Sequence, residues 1–564
     1  MKTLGCVLLG ALGLVAQTTE SIPFRAELSP LNEIPIIENV AASGKATVWM
    51  HVVRNAKGDI TSAAVDFTAR YAFPGPVTVT GFHIHRGTAA VNGPVVIDSG
   101  VRGADATEDA TGKAGVIRQA LVTTEAGLTA VRDILADSEN FYVNLHSSVN
   151  PGGIIRGQLI RATMTTTMGL LSSANEIPVP QGITATGTAT VIALAARNKQ
   201  GQLVSGEVTF DVQYTGFAAE TKFTGLHVHT GEAGVNGPVT LNSGFSGPLD
   251  AAASGTGSLR FTADINTSNA ASAAALAGLA TAPANYYTNL HTTVNPGGAI
   301  RAQMRRPDSV TFSLNATPGA EVPPIADSTA SAAALFSLHS LRDSKGVIAA
   351  AISIFDISHS FPADTAFTGT HIHQAAFGQN GPVLINSGLS GSLPSASGNG
   401  NIYRIGAVTS AAGLAAVNAL LQDPSGFYFN LHTAVSPGGA VRVQLASPAV
   451  DLPVVTDVFG VKGGSDDRVA GLGSRFRIAG TNLALVAGSA GDGNAPLSLN
   501  GTSVTLNGVD VELISVSPTS IVGRVPASVA LGNLPQRGFP VFVTTKTGKS
   551  SVSTILVSSQ PGDN

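Results

Sequence analysis

The chain has 564 residues, a formal net charge of −4 and 12% charged residues, about half the usual share of a soluble globular protein. Because 43% of the residues are hydrophobic, the chain can build cores, which excludes wholesale disorder. The slightly acidic balance and the lack of any Lys/Arg run argue against a nucleic-acid-binding surface and an anionic-membrane partner.

The first 17 residues are predicted to be a secretory signal peptide. Lys2 precedes an apolar run from Leu4 to Val15 that is too short to span a bilayer. The only cysteine, Cys6, lies in this segment, so we expect the mature chain to have neither a thiol nor a disulfide. No later stretch of about 20 apolar residues predicts a membrane span. The sequence therefore predicts a secreted protein, extracellular or periplasmic.

Three sequence blocks then recur three times in the same order. The first block reads NEIP, NEIP and AEVP, and it starts at Asn32, Asn175 and Ala320. The second reads GFHIH, GLHVH and GTHIH, each followed by NGPV, and it starts at Gly81, Gly225 and Gly369. The third reads NLHSSVNPGGIIRGQL, NLHTTVNPGGAIRAQM and NLHTAVSPGGAVRVQL, and it starts at Asn144, Asn289 and Asn430. The second block repeats every 144 residues, which predicts complete domains on a string, each with its own core.

Each copy is predicted to be mostly β. The stretch ATVWMHVV, residues 46–53, is rich in β-branched residues and roughly alternates, and a turn that ends in glycine follows it in every copy. One helix per copy is predicted just before the third block, capped by Thr124 or Thr409. Its apolar positions follow helical spacing at Leu128, Val131, Ile134 and Leu135. Short strands, Gly-rich turns and one helix predict an antiparallel sandwich or Greek-key barrel.

After Leu445 the histidine blocks stop, and Pro448, Pro453 and Gly463-Gly464 indicate a linker. Strand-like runs such as RFRIAGTNLA then predict a fourth, smaller β-sandwich. The predicted division is a signal peptide at 1–17, repeats 1, 2 and 3 at 22–163, 166–307 and 310–449, and a C-terminal domain at 453–560.

The three ordered blocks resemble the CHRD domain, which is named for chordin and is widespread in secreted bacterial proteins; copy 3 departs at Ala320 and in its SPGG. The resemblance implies three tandem antiparallel Greek-key β-sandwich or barrel domains with limited similarity to copper–zinc superoxide dismutases. It assigns no settled biochemical role. GTNLA followed by VTLNG resembles the immunoglobulin-like C-terminal domain of secreted bacterial proteins. The implied fold class is therefore all-β, with an immunoglobulin-like sandwich at the end.

Nine of the twelve histidines fall at equivalent positions in the copies. Residues i and i+2 of a strand share a face, so the imidazoles of each H-x-H converge, and a third from a neighbouring strand would complete a three-nitrogen site. Three imidazoles with an open fourth position suit copper or zinc. GFHIH also resembles the copper-ligand strand of superoxide dismutases. The candidate ligands are His83, His85 and His146; His227, His229 and His291; and His371, His373 and His432.

A structural role for these histidines, with hydrogen bonds to backbone carbonyls beside tight turns, is the alternative. An arginine follows each third-block histidine by 10 residues, as Arg156, Arg301 and Arg442. It would either guide an anion towards a metal or pair with the glutamate of the first block, as Glu33, Glu176 or Glu321. The other histidines, His51, His339 and His359, are interpreted as non-recurring surface or packing residues.

No G-x-S-x-G elbow and no phosphate-binding loop is found, and no cysteine nucleophile is expected after processing. The sequence leaves the enzyme question open and favours a non-enzymatic role. The sequence leaves three candidate functions. The first is a secreted binding or surface-interaction protein with an unidentified extracellular protein or surface ligand. The alternatives are copper- or zinc-binding repeats that are redox-active or carry metal, and a structural spacer. Neither a nucleic-acid partner nor a catalytic residue is predicted.

Overall fold

The computed structural model describes residues 17–561 with internal gaps. The gaps are 56, 103–106, 110, 114, 246, 390, 446–452, 463–464, 468, 485, 492–494, 530, 532–535, 546–547 and 551–552. The predicted signal peptide, apart from Gln17, and most of the predicted linker after Leu445 therefore lie outside the described residues.

The three repeats share one order of strands, and in the part of the chain that the structure describes each has one α-helix, after its seventh strand. Repeat 1 contains β1 (Thr18–Leu28), β2 (Ser43–Arg54), β3 (Ile60–Ala72), β4 (Val77–Arg86), β5 (Val95–Asp98), β6 (Thr107–Asp109), β7 (Gly115–Val122), α1 (Glu125–Ala136), β8 (Phe141–Ser147) and β9 (Ile155–Gln158). Repeat 2 contains β10 (Ile160–Ser172), β11 (Thr186–Arg197), β12 (Leu203–Thr215), β13 (Lys222–Thr230), β14 (Val239–Asn242), β15 (Leu249–Asp250), β16 (Gly257–Ile265), α2 (Ala270–Thr281), β17 (Tyr286–Thr292) and β18 (Ile300–Gln303). Repeat 3 contains β19 (Asp308–Ala316), β20 (Ser331–Arg342), β21 (Ile348–Ser360), β22 (Thr365–Gln374), β23 (Val383–Asn386), β24 (Leu393–Ser395), β25 (Asn399–Val408), α3 (Ala411–Gln422), β26 (Phe427–Thr433) and β27 (Val441–Gln444).

The C-terminal region is also built from strands. These are β28 (Val454–Lys462), β29 (Ser465–Asp467), β30 (Val469–Leu472), β31 (Arg475–Thr481), β32 (Ala487–Ser489), β33 (Ser498–Leu499), β34 (Thr502–Leu506), β35 (Val509–Asp510), β36 (Glu512–Val516), β37 (Ser520–Arg524), β38 (Gln536–Thr545), β39 (Gly548–Lys549) and β40 (Ser553–Pro561). The predicted all-β sandwich class is confirmed. Within the described ranges, no helix is both long enough and apolar enough to cross a membrane.

Each repeat is a sandwich of two antiparallel layers, which in repeat 2 are joined where β10 pairs with β18. In repeat 1 the order β1-β2-β3-β7 forms the meander sheet, and β5-β4-β8-β9 forms the histidine sheet, which carries the H-x-H and N-L-H segments. Alternate residues of both sheets point inward, and Phe67 of the first packs edge-on against Phe82 of the second at 5.3 Å between ring centroids. The side chains between them along each strand therefore lie on outer faces.

The helix prediction is confirmed, with one correction to its caps. Thr124 caps α1 by accepting a hydrogen bond from the backbone N–H of Gly127. In repeat 3 the cap is Ser410, whose hydroxyl accepts from the N–H of Gly413, so the prediction of Thr409 is wrong by one residue. Both residue types cap helices well, and spacing alone does not separate neighbours. The predicted apolar positions of α1 pack into the core of repeat 1, with Leu135 only partly buried.

The repeats are not separate beads, because the outer faces of their meander sheets contact one another. Arg25 of repeat 1 is fully buried and forms ion pairs with Glu207 at 2.8 Å and Asp264 at 2.6 Å, both in repeat 2. Trp49 of repeat 1 packs on Tyr403 of repeat 3 at 5.1 Å between ring centroids. Further along, β32 of the C-terminal region pairs with β19 of repeat 3 and extends its meander sheet.

The remaining histidines belong to packing between and within repeats, and the interpretation that none recurs needs correction. His51 and His339 lie 288 residues apart, which is twice the repeat spacing. Each ring bonds a serine hydroxyl 30 residues earlier, Ser21 and Ser309 respectively. Repeat 2 has an alanine at the equivalent position, so only two copies show the pattern. His359 is also buried and bonds the Gly398 carbonyl at 3.0 Å.

Candidate metal centre

The pairing of β4 with β8 brings the three histidines of repeat 1 together on the outer face of the histidine sheet. The register sets Gly81 opposite His146 and Asn144 opposite His83. Because residues two apart on a strand share a face, His83, His85 and His146 all project from the same side. The equivalent pairs, β13 with β17 and β22 with β26, repeat this register.

The glycine that opens each H-x-H block makes room for the first imidazole. A Cβ atom on Gly81 would lie 2.7 Å from Cε1 of His83, and the same clash, at 2.6 Å, would occur at Gly225 and Gly369. Real Cβ contacts are essentially never that short, so any larger residue would displace the ring. The glycine is therefore part of the site although it offers no ligand atom.

The three ligand atoms of each group lie within 4.8 Å of one another. In repeat 1, Nε2 of His85 and Nε2 of His146 are 3.3 Å apart. Two nitrogens that share a tetrahedral zinc at about 2.0–2.1 Å each are about 3.3–3.4 Å apart. The His85–His146 pair thus already has the separation that a shared metal requires. The third ligand atom is held only to the wider limit of 4.8 Å, so a small rotation of its side chain would be needed to bring it to the same metal.

Backbone carbonyls fix the tautomers of the second and third histidines. Nδ1 of His85 lies 3.0 Å from the carbonyl oxygen of Gly93, and Nδ1 of His146 lies 3.0 Å from that of Pro151. A carbonyl only accepts, so each Nδ1 carries the proton and each Nε2 presents a lone pair. The same 3.0 Å bonds recur in the other repeats between His229 and Gly237, His291 and Pro296, His373 and Gly381, and His432 and Pro437.

The inward nitrogens are buried and lack a hydrogen-bond donor. Nδ1 of the first histidine is buried without a hydrogen-bond partner in every repeat, as is Nε2 of the other two histidines in repeats 2 and 3. In repeat 1, Nε2 of His85 and His146 face only each other, and neither carries a proton to donate. Buried polar atoms are usually satisfied, and a bound cation would satisfy these nitrogens. The residues present therefore fit a bound transition metal.

Burial keeps these imidazoles neutral. Desolvation is the largest cause of a lowered pKa for all nine histidines. It brings the pKa of His146, His227 and His371 to about 4. Neutral imidazole is the form that binds a metal, so at neutral pH no proton has to leave.

One side of each site faces solvent. The first histidine of each group is only partly buried, whereas the other two are buried. The His83 side chain is 17% exposed. A metal held by these three residues would therefore keep an open position towards solvent, as in exchangeable or catalytic sites rather than closed structural ones.

The arginine of the third block stacks on a tyrosine beside the second histidine, on the same face of the sheet. The Arg156 guanidinium lies 4.1 Å from the Tyr142 ring centroid, and the Tyr142 ring stacks on His85 at 4.9 Å. Arg156 donates to Oδ1 of Asn92 at 2.7 Å and to the carbonyl of Ala89 at 3.0 Å. Only 2% of Arg156 is exposed. This geometry favours a structural role in holding the loop after H-x-H over anion guidance; Arg301 and Arg442 repeat it.

The glutamate of the first block is also buried, and its hydrogen bond goes to an asparagine on the histidine face of the sheet instead of to the arginine. Oε2 of Glu33 accepts from Nδ2 of Asn144 at 3.4 Å. Burial raises the pKa of Glu33 to about 7, against the opposing charge of Arg156. Glu176 and Glu321 have the same asparagine bond and the same raised pKa of about 7.

The CHRD domain matches residues 24–159, 169–304 and 312–445, which together make up more than half of the chain. The chain belongs to the CHRD domain family. Each CHRD match contains one whole three-histidine group with its arginine, and the C-terminal region lies outside the matches. A comparison with curated proteins found no match.

The CHRD repeats also use residues that motif reading missed. Tyr142, Tyr287 and Tyr428 each stack on the second histidine and precede the third by four residues. Starting the third block two residues earlier would have included this recurring tyrosine. A second missed residue, Asp98, differs between copies, so a search for recurring residues passes over it.

Proposed function

We propose that this protein is an exported CHRD-repeat protein whose three repeats each bind one copper or zinc ion. The observation that supports this best is the grouping of three imidazoles in each repeat: carbonyls hold Nδ1 of the second and third histidines, which leaves their Nε2 atoms unprotonated, and Nδ1 of the first is buried without a partner. Carbonyl partners of this kind orient metal-ligating histidines in many metal sites. The proposed ligands are the three histidines of each group, with Nδ1 of the first and Nε2 of the other two.

The proposed role is to hold and exchange the metal. A bound copper or zinc ion would supply an exposed Lewis-acidic position that takes up a donor group from solvent or from a partner. The protein groups keep the imidazoles neutral and oriented, and Arg156, stacked on Tyr142, holds the loop after H-x-H through Asn92 and Ala89. Nothing in this proposal requires turnover, and no residue is assigned a catalytic role.

The proposal also keeps the predicted organisation. It includes the signal peptide at 1–17, repeats at 22–163, 166–307 and 310–449, and an immunoglobulin-like domain at 453–560. Two sheets of β28–β40 with their own apolar core support a sandwich at the C-terminus. Limited similarity of the repeats to superoxide dismutases remains part of this proposal.

A second candidate function is attachment to an extracellular protein or surface, and one observation favours it. The turn after each third-block histidine presents a valine that is 82–93% exposed: Val149, Val294 and Val435. An exposed apolar side chain at the same place in three copies would add avidity if each made one weak contact. Replacing all three by serine would then weaken attachment without changing metal content.

Metal analysis of the purified mature protein tests the main proposal. We expect three equivalents of zinc or copper per chain at neutral pH, and one fewer equivalent in each of the variants His83→Ala/His85→Ala, His227→Ala/His229→Ala and His371→Ala/His373→Ala. The three variants act as controls for each other, since each should keep the metal of the other two repeats. Absence of metal uptake by the folded wild-type protein would overturn the proposal.

A further inference from the structure

Repeat 1 has a carboxylate beside its three-histidine group, and the other repeats have an amide there. The strand register pairs His83 with Asp98, and it pairs His227 with Asn242 and His371 with Asn386. Four residues later the same copies differ again. Repeat 1 has Arg102 there, and repeats 2 and 3 have a serine in their SG-x-S-G segments. The copies thus differ in charge at an otherwise equivalent site.

Asp98 is placed between the first histidine and Arg102. Its Oδ1 lies 3.5 Å from Nε2 of His83 and accepts from the N–H of Gly100 at 2.8 Å, while its Oδ2 pairs with Arg102 at 2.6 Å. The other ring nitrogen of His83, Nδ1, is the buried and unpartnered one. His83 therefore has one buried nitrogen without a partner and a second nitrogen beside a carboxylate that an arginine holds in place.

We propose that Asp98 is a positioning residue that makes the repeat 1 site bind its metal more tightly than the sites of repeats 2 and 3. This inference rests on the proposed metal-binding function. A metal on Nδ1 of His83 leaves the proton on Nε2, where Asp98 accepts it. A carboxylate partner fixes the ring and strengthens its donor nitrogen, and its negative charge attracts the cation.

The asparagines of the other repeats keep the turn but place no negative charge beside the first histidine. Oδ1 of Asn242 accepts from the N–H of Gly244 at 2.9 Å, and Oδ1 of Asn386 accepts from the N–H of Gly388 at 2.8 Å. These amides keep the turn that Asp98 also makes, but they carry no charge. Arg102 offsets part of the Asp98 charge, although its side chain is 74% exposed and solvent screens it. The sites are therefore unequal, and repeat 1 fills first.

Zinc titration of the full mature chain against a chromophoric chelator tests this inequality. We expect one tight and two weaker binding steps in the wild type. Asp98→Asn should weaken the tight step by about 10- to 100-fold, the usual effect of losing such an outer partner, and leave three similar steps. Asn242→Asp should instead create a second tight step, a gain that loss of structure does not produce.

Two controls separate the possible failures. Asp59→Asn removes the same charge from an exposed turn of repeat 1 and should leave all three steps unchanged. Thermal unfolding of apo Asp98→Asn should match that of the wild type, which would show that the affinity change is not a folding defect. Three equal steps in the wild type, or no gain in Asn242→Asp, would overturn this inference alone. If the folded protein takes up no zinc, the proposed function itself fails.

Discussion

Several residues of the recurring blocks other than histidine support the nitrogen cluster. The glycine of NGPV and the proline of NPGG provide the carbonyls that hold His85 and His146, and the asparagine of NGPV anchors Arg156. Gly81 leaves the space that the His83 ring occupies. Because these contacts recur in all three repeats, the blocks describe one site with its supporting layer rather than separate motifs.

Replacement of Gly81 by alanine should empty one site and leave the fold intact. The new Cβ would push the His83 ring out of the cluster, so metal content should fall by one equivalent, with a stability loss of about 1–3 kcal/mol from overpacking. The matched control is Gly152→Ala in the same repeat, where an added Cβ meets no atom within 4 Å. Metal analysis with thermal unfolding measures both effects. Full metal content in Gly81→Ala would contradict the account of this glycine.

Elements that depend on local sequence were predictable, and those that depend on distant pairing were not. The strand period places both histidines of H-x-H on one face, and helical spacing indicated α1. The approach of His146 depends on β8 pairing with β4, about 60 residues away in the chain. The recurring blocks predicted His146 as the third ligand from a neighbouring strand, but only the register shows that it lies opposite Gly81.

The cap of α3 offers a test of local structure at neighbouring positions. Ser410→Ala should lower the free energy of unfolding by about 1 kcal/mol, because the N–H of Gly413 loses its acceptor at the helix start. Thr409→Ala changes an exposed residue that does not cap the helix and should have an effect within about 0.5 kcal/mol. Urea denaturation compares the two variants. A larger loss from Thr409→Ala would place the cap one residue earlier.

At the scale of the whole molecule, the meander sheet of each sandwich packs against other repeats, and the histidine sheet carries the candidate metal site. The outer faces of the meander sheets meet one another: Arg25 joins repeat 1 to repeat 2, Trp49 meets Tyr403, and Met168 of repeat 2 packs with Leu341 of repeat 3. The histidine clusters lie on the opposite sheets, so each site is made by one repeat alone. Motif comparison did not predict this packing, because residues such as Arg25 and Trp49 do not recur between copies.

Removal of Arg25 tests whether the repeats unfold as one unit. The Arg25→Ala change leaves Glu207 and Asp264 with only Arg70 as a shared partner, and breaking a buried pair costs about 3–5 kcal/mol. Because Arg70 still contacts both carboxylates, we expect a loss near the lower end of that range. In calorimetry, the transition should broaden or split as repeats 1 and 2 lose their coupling.

The matched control for this change is Arg132→Ala. Arg132 pairs with Glu125 on the exposed face of α1, and such surface pairs contribute at most about 1 kcal/mol. A calorimetric profile of Arg25→Ala that matches that of Arg132→Ala would mean that the repeats behave as independent beads. In that case Asp98 and the three metal sites would still be testable repeat by repeat, because every ligand of a site lies within its own repeat.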